Sequence, residues 1–540
     1  RNLYLDTNRD SVPYEDFIGQ EMIHFSKYDC ERSIPNGIDG LKTSQRKILY
    51  TCLERGLTNE VKVAQLGGAV SEKSRYHHGE QSLYGAIINM AQNFVGSNNI
   101  NLLEPNGQFG TRLQGGDDAA SERYICTQLS KLTRLIFPEQ DDPVLTYLED
   151  DGTQVEPVFY VPIIPMQLVN GGKGIGTGFS TDILNYNPLT IIDYINHCLM
   201  NEGEENTIET VQDSLPKLIP YYSGFKGNIT SLNENNTKYL IKGVYEIISD
   251  KQVRITELPI GTWTDDYKKY IEELIDYKQT VTSQPQEKDN KQKDNKSVKK
   301  SKTEKAQAQV KDYVDMSTDT IVDITITFAS GVISSLKDNI VEHESCTALE
   351  KLLKLYTTRT TTNMHVFDEK EKLIKCDNVN QLIARYMNVR KEYYVKRKQH
   401  QLDTLKKEAC MLSNKARFIS EVLEDIIDLR KKKTTEVSSI MKTRNYDVID
   451  DDETYKYLIR LPMDSVTEEN VEKIMCERDR KNKELEILVN KPEKQIWLNE
   501  LDTLRKEYVK VIERLENESN KNSIISSKTS KVKKTVKVNK

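Results

Sequence analysis

At 540 residues the chain is longer than one hydrophobic core organises, and roughly two to four domains are expected, each with ample sequence to bury. Its 77 lysines and arginines stand against 83 aspartates and glutamates, and a net charge of -6 by itself argues against a polyanion partner unless the charge is unevenly placed. Eight scattered cysteines without a C-x-x-C pair indicate neither a zinc module nor a disulfide framework and fit a reducing compartment, and no apolar run reaches the ~18 residues of a membrane span.

From about Asn2 to Leu135 short helical patterns alternate with polar loops. "SQRKILYTCLERGL" and "SLYGAIINMAQNFV" repeat apolar residues at helical spacing and predict a compact, mostly helical unit. Lys42, Arg46 and Lys47 gather at the start of the first helix, where a basic cluster suits phosphate contacts; a solvated face is the competing explanation. In "YHHGE" the adjacent His77 and His78 offer ring nitrogens for phosphate oxygens or acid–base work, without the spacing of metal ligands. "GQFGTRLQGG" carries Arg112 on a glycine-rich loop that lets backbone approach a ligand. "DAASERYICT" then sets Arg123 beside Tyr124. The chain has 27 tyrosines, and most tyrosines are half-buried packing residues, so the dipeptide says little by itself.

"NGGKGIGTGFS", residues 170–180, is not a nucleotide loop: its glycines alternate without a G-x-G-x-x-G register, and Gly174 follows Lys173 where a P-loop needs Ser or Thr. It carries Ile175 on flexible backbone, suited to wedge between base pairs or, more simply, to anchor a loop. From about Asn187 to Cys376 the pattern turns strand-like, as in "TIVDITITF", and predicts a mixed α/β domain. Within it, Gln279–Lys311 is nearly free of apolar residues and is expected to be a disordered insertion.

After Asn380, Leu402, Leu405, Ala409, Leu412, Ala416, Ile419, Leu423 and Ile426 form an a/d seam of a coiled-coil helix, about 70 Å long if unbroken from Gln381 to Leu429. A second seam, Trp497, Leu501, Leu504, Tyr508, Val511 and Leu515, is expected to run back antiparallel. Between them lies a small module in which Ser465 caps a helix with Glu468 three residues on. An apolar head on a long arm suits a dimer contact. The tail from Lys521 holds seven lysines and no acid, as a nucleic-acid arm, an import signal or a solvated end would.

These pieces converge on one chemistry. A tyrosine hydroxyl can attack a phosphodiester and hold one strand end covalently, with Arg123 stabilising charge on phosphorus and His77 or His78 taking the proton or holding an oxygen. Because a phenol ordinarily ionises near pH 10, neighbouring cations or a base must favour the phenolate.

The runs "ERSIPNGIDGLKTSQRKILY", "KVAQLGGAVSEKSRYHHGEQSLYGAIINMAQNFVGSNNINLLEPNGQFGTRLQGG", "ASERYICT", "YVPIIPMQLVNGGKGIGTGFS" and "ITELPIGTWT" resemble, in order and spacing, the breakage-reunion region of eukaryotic-type DNA topoisomerase II, up to about Leu515. The resemblance implies an α+β multidomain fold: a linker (1–25), a helical winged-helix domain with the catalytic tyrosine (26–184), a tower domain holding the insertion at 279–311 (185–376), an antiparallel coiled coil with a small helical exit-gate head (377–515), and a basic disordered tail (516–540). It implies Tyr124 as the residue linked to a DNA 5′ end and Arg123 as its transition-state partner. His77 and His78 are placed with them, Arg46 with Lys42, Lys47 and Arg112 at DNA phosphates, and Ile175 as the wedge that bends the duplex. Double-stranded DNA and a homodimer formed through the DNA gate and the C-gate are the implied partners, with no membrane, and the nucleus or a virus-infected cell the place of action.

Three positions depart from the family: Thr43 where proline is usual, Asp117 where lysine is common and Glu122 where proline commonly precedes the Arg-Tyr pair. No E-G-D-S-A or D-x-D motif and no nucleotide loop is found, so Mg²⁺ and ATP are expected on domains absent from the chain, with no metal site of its own. The missing initiator methionine and the absence of a signal-peptide core support a soluble piece of something longer, able to bind and bend DNA but poor at cleavage alone. The alternatives are an architectural DNA-bending protein, which has no need of the Arg-Tyr pair, and a separately encoded gyrase A-like protein; "GTRLQGG" and "LPIGTWT" argue against the latter.

Overall fold

The computed structural model describes residues 10–201, 215–282, 309–342, 345–429, 432–462 and 467–536. The fold is mixed α+β and divides into two units, one made of the chain to Phe137, Thr146–Met387 and the chain from Asp502, the other of Pro138–Leu145 and Asn388–Leu501.

In the first unit the helical repeats fold as their spacing predicts. Helix Thr43–Glu54 buries Ile48, Leu49, Cys52 and Leu53 and packs on helices Val63–Ser74 and Glu80–Ala91, which contribute Val63, Leu66, Val70, Leu83 and Ile87. Thr43, the residue that replaces the family's proline, takes the first helical position, where proline's missing N–H would cost nothing; its hydroxyl instead donates to the Glu31 carbonyl (3.0 Å). Strand β1 (Val61–Lys62) pairs with β2 (Cys126–Thr127), and β3 (Tyr147–Asp150) forms a hairpin with β4 (Thr153–Pro157), closed by the left-handed Asp151 and Gly152. Three helices and a two-stranded hairpin make a winged-helix arrangement. A further hairpin, β5 (Gly172–Gly176) and β6 (Phe179–Ile183), follows.

The strand-like text after Asn187 gives two antiparallel sheets. Strands Val310–Asp315, Ile324–Phe328, Gln252–Glu257 and Val244–Ser249 lie side by side in that order, and Tyr356–Thr360, Lys238–Lys242 and Asn228–Ser231 form the second sheet. Ile324, Ile326 and Phe328 point into a core with Val253, Ile255, Tyr267 and Ile271, the alternation read from "TIVDITITF". Helix Thr264–Thr282 runs four residues into the stretch expected to be disordered, and strand Val310–Asp315 begins before its end. Positions 283–308 of that insertion lie outside the described residues.

In the second unit helix Val379–Leu423 meets two later helices in turn. Beyond Lys398 it runs antiparallel to helix Glu468–Asn490: Lys481 pairs with Glu408 (2.9 Å), and Lys398 Nζ donates to the Lys491 carbonyl (2.8 Å). The second seam belongs to the next helix, Glu493–Val536, where Trp497 is buried against Tyr394 with ring centroids 5.3 Å apart. That helix continues to Val536, so the tail expected to be disordered from 516 has helical backbone up to there. The first helix stops at Leu423, before the left-handed Asp425, which leaves Leu423 and Ile426 exposed instead of in the seam. Ser465 lies outside the described residues; Thr467 caps the following helix, its hydroxyl accepting from the Asn470 N–H. The head has its own core of Phe418, Ile427, Val437, Met441, Tyr446, Tyr455 and Leu458.

At the base of this unit, Asp141 accepts from Arg390 (2.7 Å) and lies 3.5 Å from Arg397, all three buried. Breaking a buried pair leaves a charge without compensation. Asp141→Ala is expected to destabilise this unit by about 3–5 kcal/mol, which chemical denaturation followed by tryptophan fluorescence of Trp497 will show.

Candidate active site

The site is built outward from Asp39. Its carboxylate, fully buried, accepts from Arg46 Nε (2.7 Å) and a second guanidinium nitrogen (3.1 Å), from the Leu41 N–H (2.9 Å) and from the Tyr160 N–H (3.0 Å). Burial works against the Arg46 charge, but the Asp39 carboxylate more than offsets it and holds the guanidinium above its usual range. Arg46, expected at a DNA phosphate, is in this structure a buried ion-pair partner of Asp39. Lys47 is spent similarly, on Glu156 (2.8 Å) and the Ser74 carbonyl (2.6 Å). Arg112 is buried in a close ion pair with Glu257, whose carboxylate also accepts from the Leu258 and Lys226 N–H groups. Lys42 reaches the Lys173 carbonyl (2.9 Å), and burial lowers its ammonium below the ordinary lysine range.

Tyr124 is held in the open by its backbone. The Val63 and Ala64 N–H groups, unpaired at the start of helix Val63–Ser74, donate to the carbonyls of Ile125 and Glu122 (both 3.1 Å). Ile125 is buried beneath, against Gly107, while the Tyr124 ring is 74 % exposed with the Arg123 guanidinium 5.9 Å from its centroid. Asp118 braces the preceding loop by accepting from Thr111 N–H (2.8 Å), Thr111 hydroxyl (2.6 Å) and Gln108 (3.3 Å). Glu122, in place of the family's proline, accepts from the Ser121 hydroxyl (3.1 Å).

The histidines follow the other end of the same helix, past the left-handed Arg75. His77 lies 3.2 Å from the Asp150 carboxylate. His78 Nε2 lies 2.9 Å from the Tyr28 hydroxyl, and burial, followed by the Arg32, His77 and Lys47 charges, lowers its pKa below the ordinary imidazole value. Twelve residues of helix, about 18 Å, separate the segment holding Tyr124 from the segment holding the histidines, and no hydrogen bond joins them among the described residues.

Ile175 is 76 % exposed, carried not by a flexible loop but by a paired strand. The alternating glycines explain this. A Cβ at Gly174 would lie 2.0 Å from the Ser33 carbonyl oxygen, and one at Gly176 3.2 Å from Cys30 Cα, so the even positions let the strand lie on helix Ile23–Ser33 while Lys173 and Ile175 face outward. Thr177 hydroxyl to Asp29 (2.8 Å) pins the turn. Sequence analysis missed Asp39, Glu156 and Glu257, the acids that consume the cations, as well as Tyr28 and the half-exposed Phe179 beside the turn. The alternation of glycine was the one available signal.

No group of three His, Cys, Asp or Glu able to hold a metal occurs among the described residues.

An exposed tyrosine beside an arginine on a fixed loop, and an exposed isoleucine on a glycine-bearing hairpin, are the two features that stand out in this unit. The family model for the A-subunit of DNA gyrase/topoisomerase IV matches residues 32–502, and the chain belongs to that family. Within it the resemblance is to the eukaryotic-type breakage-reunion region. DNA topoisomerase 2 of Penicillium chrysogenum is 37 % identical over 94 % of this chain and 31 % of its own length, and DNA topoisomerase 2-alpha of Cricetulus griseus 39 % over 91 % and 31 %. The crystal structure of the Plasmodium falciparum topoisomerase II DNA-binding, cleavage and re-ligation domain superposes with a TM-score of 0.78 at 37 % identity, over 96 % of this chain and 67 % of that one. The chain thus spans about a third of the length of these curated relatives.

Gly174→Ala forces the hairpin off its helix and is expected to cost about 1–3 kcal/mol and to reduce DNA bending measured by end-to-end fluorescence transfer. Ile175→Ala should reduce bending equally and leave thermal stability unchanged.

Proposed function

We propose that the chain is the breakage-reunion core of a type II DNA topoisomerase, carrying out transient double-strand cleavage, passage of a second duplex and religation. The observation that carries this is Tyr124, exposed beside Arg123 on a loop whose backbone is fixed on both sides. The Tyr124 oxygen attacks a backbone phosphorus, the bond from phosphorus to the 3′ oxygen breaks, and the tyrosine holds the 5′ end; the phenolic proton leaves to a base and the departing 3′ oxygen gains one. Arg123 neutralises charge on the phosphoryl oxygens. Because the phosphotyrosyl ester keeps the bond energy, the 3′ hydroxyl can reverse the step.

Because about 18 Å of helix separates them from Tyr124 of the same copy, the histidines on this reading serve the phosphate attacked by the tyrosine of the other copy, and Ile175 opens a base step so that the duplex bends toward the site. Arg46, Lys47 and Arg112 act as internal supports instead of DNA contacts. A homodimer supplies two tyrosines, one per strand, with DNA and C-terminal gates between copies. Mg²⁺ and ATP belong to parts of the whole protein beyond this chain, and the nucleus is the place of action. No helix among the described residues is long and apolar enough to cross a membrane.

With the whole protein, supercoiled plasmid and Mg²⁺, detergent trapping is expected to yield protein-linked linear DNA that disappears in Tyr124→Phe. Arg123→Ala should lower the cleavage rate about 10²–10³-fold while DNA binding persists. Binding without any adduct in the unaltered protein would leave only a DNA-bending role.

A further inference from the structure

Helix Ile23–Ser33 has two working sides. One lies under the Ile175 hairpin, held by Asp29 to Thr177 and by the close approach of Gly174 and Gly176. The other presents Tyr28 and Arg32 to the segment that carries His78. The Tyr28 hydroxyl is 2.9 Å from His78 Nε2, and the Arg32 guanidinium is 3.5 Å from Ser82 Oγ just beyond. Tyr76 also packs on the imidazole, edge-on with centroids 5.2 Å apart.

The two adjacent histidines thus receive opposite partners. His77 has the carboxylate of Asp150, whereas His78 has the Tyr28 phenol, the Tyr76 ring and the Arg32 guanidinium, with Lys47 tied to Glu156 and His77 to Asp150. The acids of its neighbouring helix are engaged elsewhere, Asp29 with Thr177 and Glu31 with Lys27. Nothing in this surrounding favours an imidazolium. A neutral ring has one nitrogen free to accept, and a phenol donating to Nε2 places the ring proton on Nδ1 and locks both tautomer and orientation.

We propose that Tyr28 is a positioning residue: by donating to Nε2 it holds His78 neutral and oriented for strand cleavage. This rests on His78 acting at the reacting phosphate as set out above. Tyr28 is half-exposed, so its ring is not there to fill a core, and the helix that carries it is fixed by the hairpin contacts.

The test compares the unaltered whole protein with Tyr28→Phe and Tyr28→Ala. Histidine labelling suits it, because this chain has only seven histidines and His78→Gln identifies the signal. A donor to the neutral ring lowers its pKa, so its removal in Tyr28→Phe should raise the His78 titration midpoint by about half a pH unit to one unit, the size of one net hydrogen bond. The acid limb of the cleavage pH profile, read from trapped linear plasmid, should move up by the same amount, with thermal stability unchanged. Tyr28→Ala should reproduce the shift and add a loss of rate from the freed ring. A midpoint that stays or falls in Tyr28→Phe overturns the proposal, whatever happens to cleavage. A raised midpoint with an unmoved acid limb overturns it as well, since His78 is then positioned but not used. The adduct at Tyr124 tests the cleavage reading separately from either outcome.

Discussion

A single carboxylate with no exposure sets the frame of the first unit. An isolated charged oxygen pair at that depth would be strongly destabilising, and Asp39 is tolerable because Arg46 and two backbone N–H groups saturate it. Those same bonds decide the local geometry. They close the turn at Gly40, whose φ of 71° and whose absent Cβ, otherwise 2.4 Å from Gln167 N, both require glycine. They also tie the start of helix Thr43–Glu54 to the segment at Tyr160. With that helix placed, Lys42 reaches the Lys173 carbonyl and the wedge hairpin takes its position.

The two residues most committed to function are displayed against the tendency of large apolar and aromatic side chains to bury. Tyr124 and Ile175 are each about three-quarters exposed, yet each sits on backbone that cannot easily move. For Tyr124 the restraint is a helix N-terminus whose free amides grip the carbonyls on either side, with Ile125 buried below. For Ile175 it is a strand whose glycines lie against a helix. A site of this kind avoids ordering its reactive groups at the moment of reaction, because the scaffold has already done so.

What was legible from residues alone follows the same division. Helical spacing in "SQRKILYTCLERGL" and the two-residue alternation in "TIVDITITF" are local, and both elements form where they were expected. The arm was legible as helix but only in part in its pairing, because an a/d seam does not say which later helix covers it: Trp497 of the second seam packs on Tyr394 of the first helix, while helix Glu468–Asn490 covers the stretch around Glu408. Arg46, Lys47 and Arg112 have the chemistry of phosphate ligands, and their carboxylate partners lie 7, 109 and 145 positions away. No periodicity reports such distant pairs. Tyr28 went unnoticed for the same reason, 50 residues from His78.

These distant pairs change what the charge balance means. A cation neutralised by a buried acid contributes little field outside the protein, so the internal arginines and lysines do not help a chain of net charge -6 attract a polyanion. Attraction of such a partner must come from the cations left facing solvent, among them Arg123 beside Tyr124 and Lys173 beside Ile175. Attraction and chemistry are thus concentrated at the same few points, while the buried pairs keep those points in register. On the proposed function, bending would select by deformability and phosphate contacts would read no bases, so such a surface would engage a duplex with little regard for sequence.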